Sequence, residues 1–216
     1  MAFKGWPAEA IEFFEGLEAD NTKAYWTEHK VIYEQAVRAP MMALLEDLAP
    51  DFGDGKIFRP FRDVRFSKDK SPYKTAMAAS LSRGGYVQFS ASGLGVGSGM
   101  YQMAPDQLER YRAAVAEDAP GTQLQELISR LAKRDITVHG HDALKTAPKG
   151  YAKDHLRIEL LRNKGLVSWQ QWQPGEWLGT AAAKKRITDF LHACQPVNEW
   201  LAAYVGPTTL ETSRWG

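Results

Sequence analysis

Residues 61 to 75 read FRDVRFSKDKSPYKT, and five cations, two carboxylates and a tyrosine fall inside that short run. Arg62 and Arg65 offer planar forks that can grip a phosphate or carboxylate at two points. Lys68, Lys70 and Lys74 add mobile point charges, so the run has the composition of an anion shell. Strand alternation would set Asp63, Arg65 and Ser67 on one face and Val64 and Phe66 on the other, buried face. Ser71 and Pro72 would then turn the chain toward Tyr73 and Lys74. The expectation is a concave site in which Asp63 and Asp69 hold some of the cations in place. The plainer reading of the same residues is an edge strand guarded by its charges.

A second loop, APKGYAKDH, brings Lys149, Gly150, Tyr151, Lys153 and His155 together ahead of a helix that Asp154 could cap. Lys149 and Tyr151 join the anion-binding candidates, in a loop that would close over the basic strand. If the pocket belongs to an enzyme, Asp69, Tyr73 or His155 would transfer protons while the cations stabilise developing negative charge. The chemistry of the run does not single out a catalytic residue among them. His139 and His141 could place two imidazoles on one strand face, but with no third ligand at suitable spacing no metal site is expected. No cofactor is implied either, because neither the G-x-G-x-x-G nor the G-x-x-x-x-G-K pattern occurs. Gly93, Gly95, Gly97 and Gly99 alternate along SGLGVGSGMY and would leave one strand face bare, for which close packing of a helix is the expected use. Trp169, Trp172 and Trp177 could stack a sugar or base but read better as core or rim, and Cys194 reads as packed.

The segments RDVRFSKDKSPYKT, GLGVGSGMYQMAPDQLERYR and LKTAPKGYAKDHLRIELLRNKGL together resemble the DUF2461 family of uncharacterised bacterial and fungal proteins. The likeness extends from FFEGLEADNTKAYWTEHKVIYE nearly to the last helix. It implies one α+β domain over residues 1–216 and draws attention to the run from Arg62 to Lys74. It implies no catalytic roles.

The elements that must position these groups follow from periodicity. Ala10, Phe13, Phe14 and Leu17 give one helical face behind Pro7; Tyr25, His29, Ile32, Tyr33 and Ala36 give a second, capped by Asn21, which Pro40 should kink or end. Met41, Leu44, Leu45 and Leu48 give a third. From Lys56 to Met103 alternation and Gly-rich turns predict antiparallel strands, with Val64, Phe66, Val87 and Phe89 buried. Helical spacing then returns, ending in a helix with Ala183, Ile187, Phe190, Leu191 and Cys194 and a further turn or two past Pro196. The fold class is therefore α+β, an antiparallel sheet from the middle of the chain packed against helices from both ends.

Composition bounds the rest. The formal net charge is +1 over 216 residues. Of 27 basic and 26 acidic residues, seven and two lie between Lys56 and Thr75, leaving 20 and 24 elsewhere, so positive charge is concentrated in one place. A cytoplasmic protein is expected, since one cysteine permits no intrachain disulfide and MAFKGWPAEA lacks the apolar core of a secretory signal. The expected partner is a phosphate- or carboxylate-bearing small molecule or nucleotide. No membrane partner is expected, and nucleic acid ranks low for a chain of this net charge. The alternatives are an enzyme built on the same pocket and a structural or partner-binding protein whose charged strand meets an acidic surface.

Overall fold

The first apolar stripe closes into α1 (Ala8–Ala19) directly behind Pro7, and its face of Ala10, Phe13, Phe14 and Leu17 is buried. The structure, a computed structural model, describes residues 2–210. Helix α2 (Lys23–Ile32) begins at Thr22, whose hydroxyl accepts the Tyr25 N–H at 3.2 Å; Asn21, the expected cap, is engaged elsewhere. A π-helical stretch, Tyr33–Arg38, then leads into α3 (Ala39–Phe52). Pro40 accounts for the widening: it has no N–H to give and its ring crowds the carbonyl four residues back, so the turn before it opens and Ala39 bonds to the Glu34 carbonyl five residues back. The helical run is thus not ended at Pro40. The extra residue also turns the buried face, which is Trp26, Tyr33, Ala36 and Val37, while Ile32 is exposed and Tyr25 and His29 stack on each other at 4.0 Å.

The strands are β1 (Gly55–Ile57), β2 (Ala76–Leu81), β3 (Gly85–Ser90), β4 (Gly93–Met100), β5 (Thr137–His139) and β6 (Leu166–Trp172). They form one antiparallel sheet in the order β1-β2-β3-β4-β6-β5. Between β2 and β3 the register pairs Met77 with Phe89 and Ala79 with Val87, all four buried, as alternation with one covered face requires. Residues 58–75 are not in a strand. Val64 is only half-buried and Phe66 is 96% exposed, which corrects the expectation that both belong to the covered face.

Three of the β4 glycines, Gly93, Gly97 and Gly99, make room for β6 or the turn after it, where the sequence suggested a helix. Gly93 and Gly99 have φ of 100° and 122°, and a Cβ there would stand 2.2 Å from the Trp172 carbonyl oxygen and 2.3 Å from that of Leu166, both on β6. The remaining helices are α4 (Pro105–Ala116), α5 (Asp118–Ala132), α6 (Ile158–Arg162) and α7 (Ala182–Tyr204), the last running unbroken past Pro196. Short 3₁₀ helix Glu176–Gly179 precedes α7. The architecture is α+β.

By its internal contacts the chain divides into two compact units, Met1–Val96 with Gln171–Phe190, and Gly97–Gln170 with Leu191–Gly216. The core of the first is aromatic: Trp6 stacks on Phe89 at 4.7 Å, and Phe13 meets Phe14, Tyr25, Trp26 and Tyr33. The second is organised around a buried cation. Arg157, with only 2% of its side chain exposed, donates to the carbonyls of Val115 (2.6 Å), Ala116 (3.0 Å) and Glu117 (3.3 Å), satisfying the end of α4, and to the Asp118 carboxylate at 3.0 Å. Gly121 makes room for it, since a Cβ there would lie 2.5 Å from Arg157 Nε. The helix expected to start at Asp154 therefore starts at Ile158, after Arg157.

Replacing Arg157 with Met fills the space but leaves the α4 carbonyls without a donor. Urea unfolding should show a loss of roughly 2–4 kcal/mol. An unchanged midpoint would mean that water replaces the guanidinium at no cost.

Candidate functional site

The charged run is a closed loop. Phe61 and Tyr73 form an antiparallel bridge at its base, flanked by Arg62 N–H to the Pro72 carbonyl at 2.9 Å and Lys74 N–H to the Pro60 carbonyl at 2.8 Å. Above the base, the acids bend the backbone. The Asp63 carboxylate accepts the Arg65 N–H at 3.2 Å, and Asp69 accepts both the N–H (2.9 Å) and hydroxyl (2.6 Å) of Ser71. These side-chain bonds offer the backbone an alternative to a strand ladder, and they are why alternation misleads here.

The same acids hold the arginines. Arg65 Nε and Nη2 lie 3.0 and 2.7 Å from the two Asp63 oxygens, and Arg62 Nη1 pairs with Asp69. Lys70 Nζ donates to the Val64 carbonyl at 3.0 Å. Lys74 sits 5.9 Å from the centre of the Phe58 ring, and Lys68 has no recorded ion pair among the described residues. Hydrogen bonds from Arg65 hold the Asp63 carboxyl at about 2, down from the usual 3.8, and those from Ser71 and Arg62 do the same for Asp69. A carboxyl so acidic is a poor proton donor near neutrality. Tyr73 is buried, its ring stacked on Trp26 at 4.3 Å and 5°. Asn21 takes both of its backbone groups, donating to the Tyr73 carbonyl and accepting its N–H, each at 3.0 Å.

Next to the loop base in the first unit is a cleft of about 460 Å³ lined by Trp26, Lys30, Tyr33, Glu34, Arg38, Ile57, Phe58, Arg59, Pro60 and Phe61. Four aromatic rings and three cations meet one acid, and that acid, Glu34, pairs with Arg38 at 3.4 Å. Neither Lys30 nor Arg59 has an ion pair within 4 Å among the described residues. The phenol of Tyr33 is pushed up to about 12, chiefly by burial and then by Glu34, so it stays a hydroxyl. Of the expected anion-binding residues, none of Arg62, Arg65, Lys68, Lys70, Tyr73 and Lys74 lines this cleft, although Tyr73 backs Trp26 and Lys74 faces Phe58. Sequence reading missed Lys30 and Arg38. Their signal was available, because Lys30, Glu34 and Arg38 repeat every fourth residue beside Trp26 and Tyr33 on a helical run.

Lys149, Tyr151 and His155 lie in the second unit. Tyr151 N–H bonds to the Pro148 carbonyl at 3.2 Å, Lys149 is exposed, and His155 Nδ1 accepts the Arg157 N–H at 3.0 Å. His141 stacks on Tyr101 at 3.6 Å, in a cleft of about 350 Å³ shared with Gln102, Asp142 and Lys164. Among the described residues no three His, Cys, Asp or Glu side chains are grouped to hold a metal. Arg186 lies over Trp177 at 4.5 Å, so that ring already has a cation on its face. Cys194 is buried, with its thiol pushed up to about 11 by that burial.

The chain belongs to the DUF2461 family, described as a conserved hypothetical protein, whose profile matches residues 9–200. Among solved structures it is similar to a conserved hypothetical protein, Pfu-178653-001, from Pyrococcus furiosus, at 10% identity and a TM-score of 0.38, covering 80% of this chain and 97% of that one. A likeness that weak supports no argument about fold or function. No curated protein matches the chain. Among the described residues no helix is long and apolar enough to cross a membrane.

Two outcomes follow from the loop. Carboxyls whose acidity is raised on folding stabilise the paired loop above their unfolded pKa and cease to do so as pH falls through the folded value. Protection of the 61–73 amides against exchange should therefore be level from neutrality down to about pH 5 and decline between about pH 4 and 2. A decline centred near pH 6 would point to a histidine instead. Asn21→Ala should loosen the loop base and lower stability by about 1–2 kcal/mol in urea unfolding, with Thr22→Ala as a comparison that removes only a helix cap.

Proposed function

We propose that this chain binds a phosphate- or carboxylate-bearing small molecule, with a planar phosphorylated compound such as a nucleotide as the best fit, in the cleft between α2 and the base of the 61–73 loop. The observation that carries the reading is the meeting of four aromatic rings with Lys30, Arg38 and Arg59 in one concavity. The exposed rings of Phe58 and Phe61, backed by the buried Trp26 and Tyr33, give a flat molecule a surface to stack on, and Lys30 and Arg59, which form no ion pair among the described residues, give its anionic group a partner. A volume of about 460 Å³ falls within the roughly 300–1,000 Å³ of small-molecule sites. The Tyr33 hydroxyl adds one directional hydrogen bond. In this arrangement the arginines of the loop are supports: Arg62 and Arg65 are held by Asp69 and Asp63 and keep the loop closed, while Arg59, just outside the bridge, faces the ligand.

The test is thermal protection by AMP, ADP, ribose 5-phosphate and inorganic pyrophosphate, each titrated against the wild type and Arg59→Ala. A ligand at a hundred times its Kd should raise Tm by about 5–10 °C in the wild type. Arg59→Ala should keep the unliganded Tm, its side chain being exposed, and lose most of the rise. Protection by pyrophosphate equal to that by AMP and ADP would remove the stacking half of the proposal. No protection by any of the four would overturn it.

A further inference from the structure

Phe66 stands at the head of the 61–73 loop with 96% of its surface exposed, more than any other large apolar side chain described. A single exposed apolar side chain is ordinary; what sets this one apart is that a closed loop holds it out beside the exposed cations Lys68 and Lys70. The loop does not flop: the bridge at its base, the two Arg–Asp pairs and the Lys70 bond to the Val64 carbonyl hold it from within. What remains unspent at the tip is the ring and the charge of Lys68 and Lys70.

That remainder narrows the class of partner. Asp63 takes the Nε and Nη2 side of Arg65 and Asp69 takes Nη1 of Arg62, which leaves fewer of the directional donors that nucleic-acid phosphates and bases are read with. Near the tip the bonds of Arg65 N–H with Asp63, Ser67 N–H with the Val64 carbonyl at 3.4 Å and Ser71 N–H with Asp69 bend the chain, and no residue there is in a strand, so the tip presents no extended edge to another protein. An apolar ring with a collar of non-directional positive charge, on a bent loop without an extended edge, suits an anionic lipid surface, where rings sit at the headgroup boundary and lysines near the phosphates.

We propose that the 61–73 loop is a docking element for anionic membrane surfaces, in which Phe66 enters the interface while Lys68 and Lys70 lie at the headgroups. The expectation of no membrane partner rested on the near-zero total charge and the lack of a spanning segment. A single displayed loop answers to neither, because it acts through local charge and one inserted ring. Binding of this kind is weak and reversible, and it is independent of the cleft proposed above.

The experiment is co-sedimentation of the full chain with vesicles of phosphatidylcholine, with and without about one-third phosphatidylglycerol, for the wild type, Phe66→Ala and Lys68→Glu. Neither variant removes a bond that holds the loop, so both should keep the wild-type Tm. Expected are sedimentation with anionic vesicles only, release in about 0.5 M salt, and a partition coefficient reduced about tenfold by Phe66→Ala and tenfold or more by Lys68→Glu. Equal behaviour of the wild type toward neutral and anionic vesicles overturns the proposal. So does anionic binding that Phe66→Ala leaves unchanged, or Phe66-dependent retention on poly(U) with no vesicle binding, which would make the loop a base-stacking element.

Discussion

The first unit depends on how Tyr73 is fixed. Its backbone is clamped by the Asn21 amide through two hydrogen bonds of 3.0 Å, and its ring lies flat on Trp26. Closing a loop costs chain entropy that the closing contacts must offset. Here the offset comes from a half-buried pair of hydrogen bonds together with an aromatic stack, and the bridge to Phe61 follows from them. Once Tyr73 is placed, Phe61 is brought opposite it and Trp26 has one face covered. The cleft beside the loop then inherits its aromatic wall. Loss of that anchor would loosen the loop base and the aromatic wall of the cleft, while the tip of the loop, held by its own Arg–Asp pairs, does not line the cleft.

Charge in this region divides into what is consumed and what is offered. Arg62, Arg65, Asp63 and Asp69 neutralise one another and shape the loop. These pairs are exposed and add little to overall stability, and their effect is local, since they select one loop conformation among many. Lys30, Arg59 and Lys68 have no such partner among the described residues. A count of cations along the sequence therefore overstates the unpaired charge of residues 62–70 and passes over the cations that the helical run from Lys30 to Arg38 brings to the cleft.

Much of the fold was legible because its signals are local and periodic. The stripe on α1, the alternation of β2 and β3 and the apolar face of α7 are each set by one element packing on its covered side. The π-helical turn was half legible: Pro40 announced a disturbance, but the chain absorbed it by opening a turn instead of stopping. Three features were hidden for different reasons. Asp63 and Asp69 compete with the strand ladder through their own side chains, which alternation cannot register. Asn21 looked like a cap because its partner lies 52 residues away. Nothing in the sequence around Arg157 marks it for burial, yet it is buried, where the carbonyls at the end of α4 take its donors.

Two features of the first unit share a further property: neither changes protonation in the neutral range. The loop carboxylates stay ionised because their hydrogen bonds favour the charged form, and the Tyr33 phenol stays protonated because burial and Glu34 disfavour its anion. The loop thus keeps its shape, and the cleft keeps a hydroxyl donor on Tyr33. Such a site is not built as a pH switch. For the phosphorylated ligand proposed above, the second ionisation near 6 adds a charge to the ligand over a range in which the Tyr33 phenol stays a hydroxyl and the loop carboxylates stay ionised.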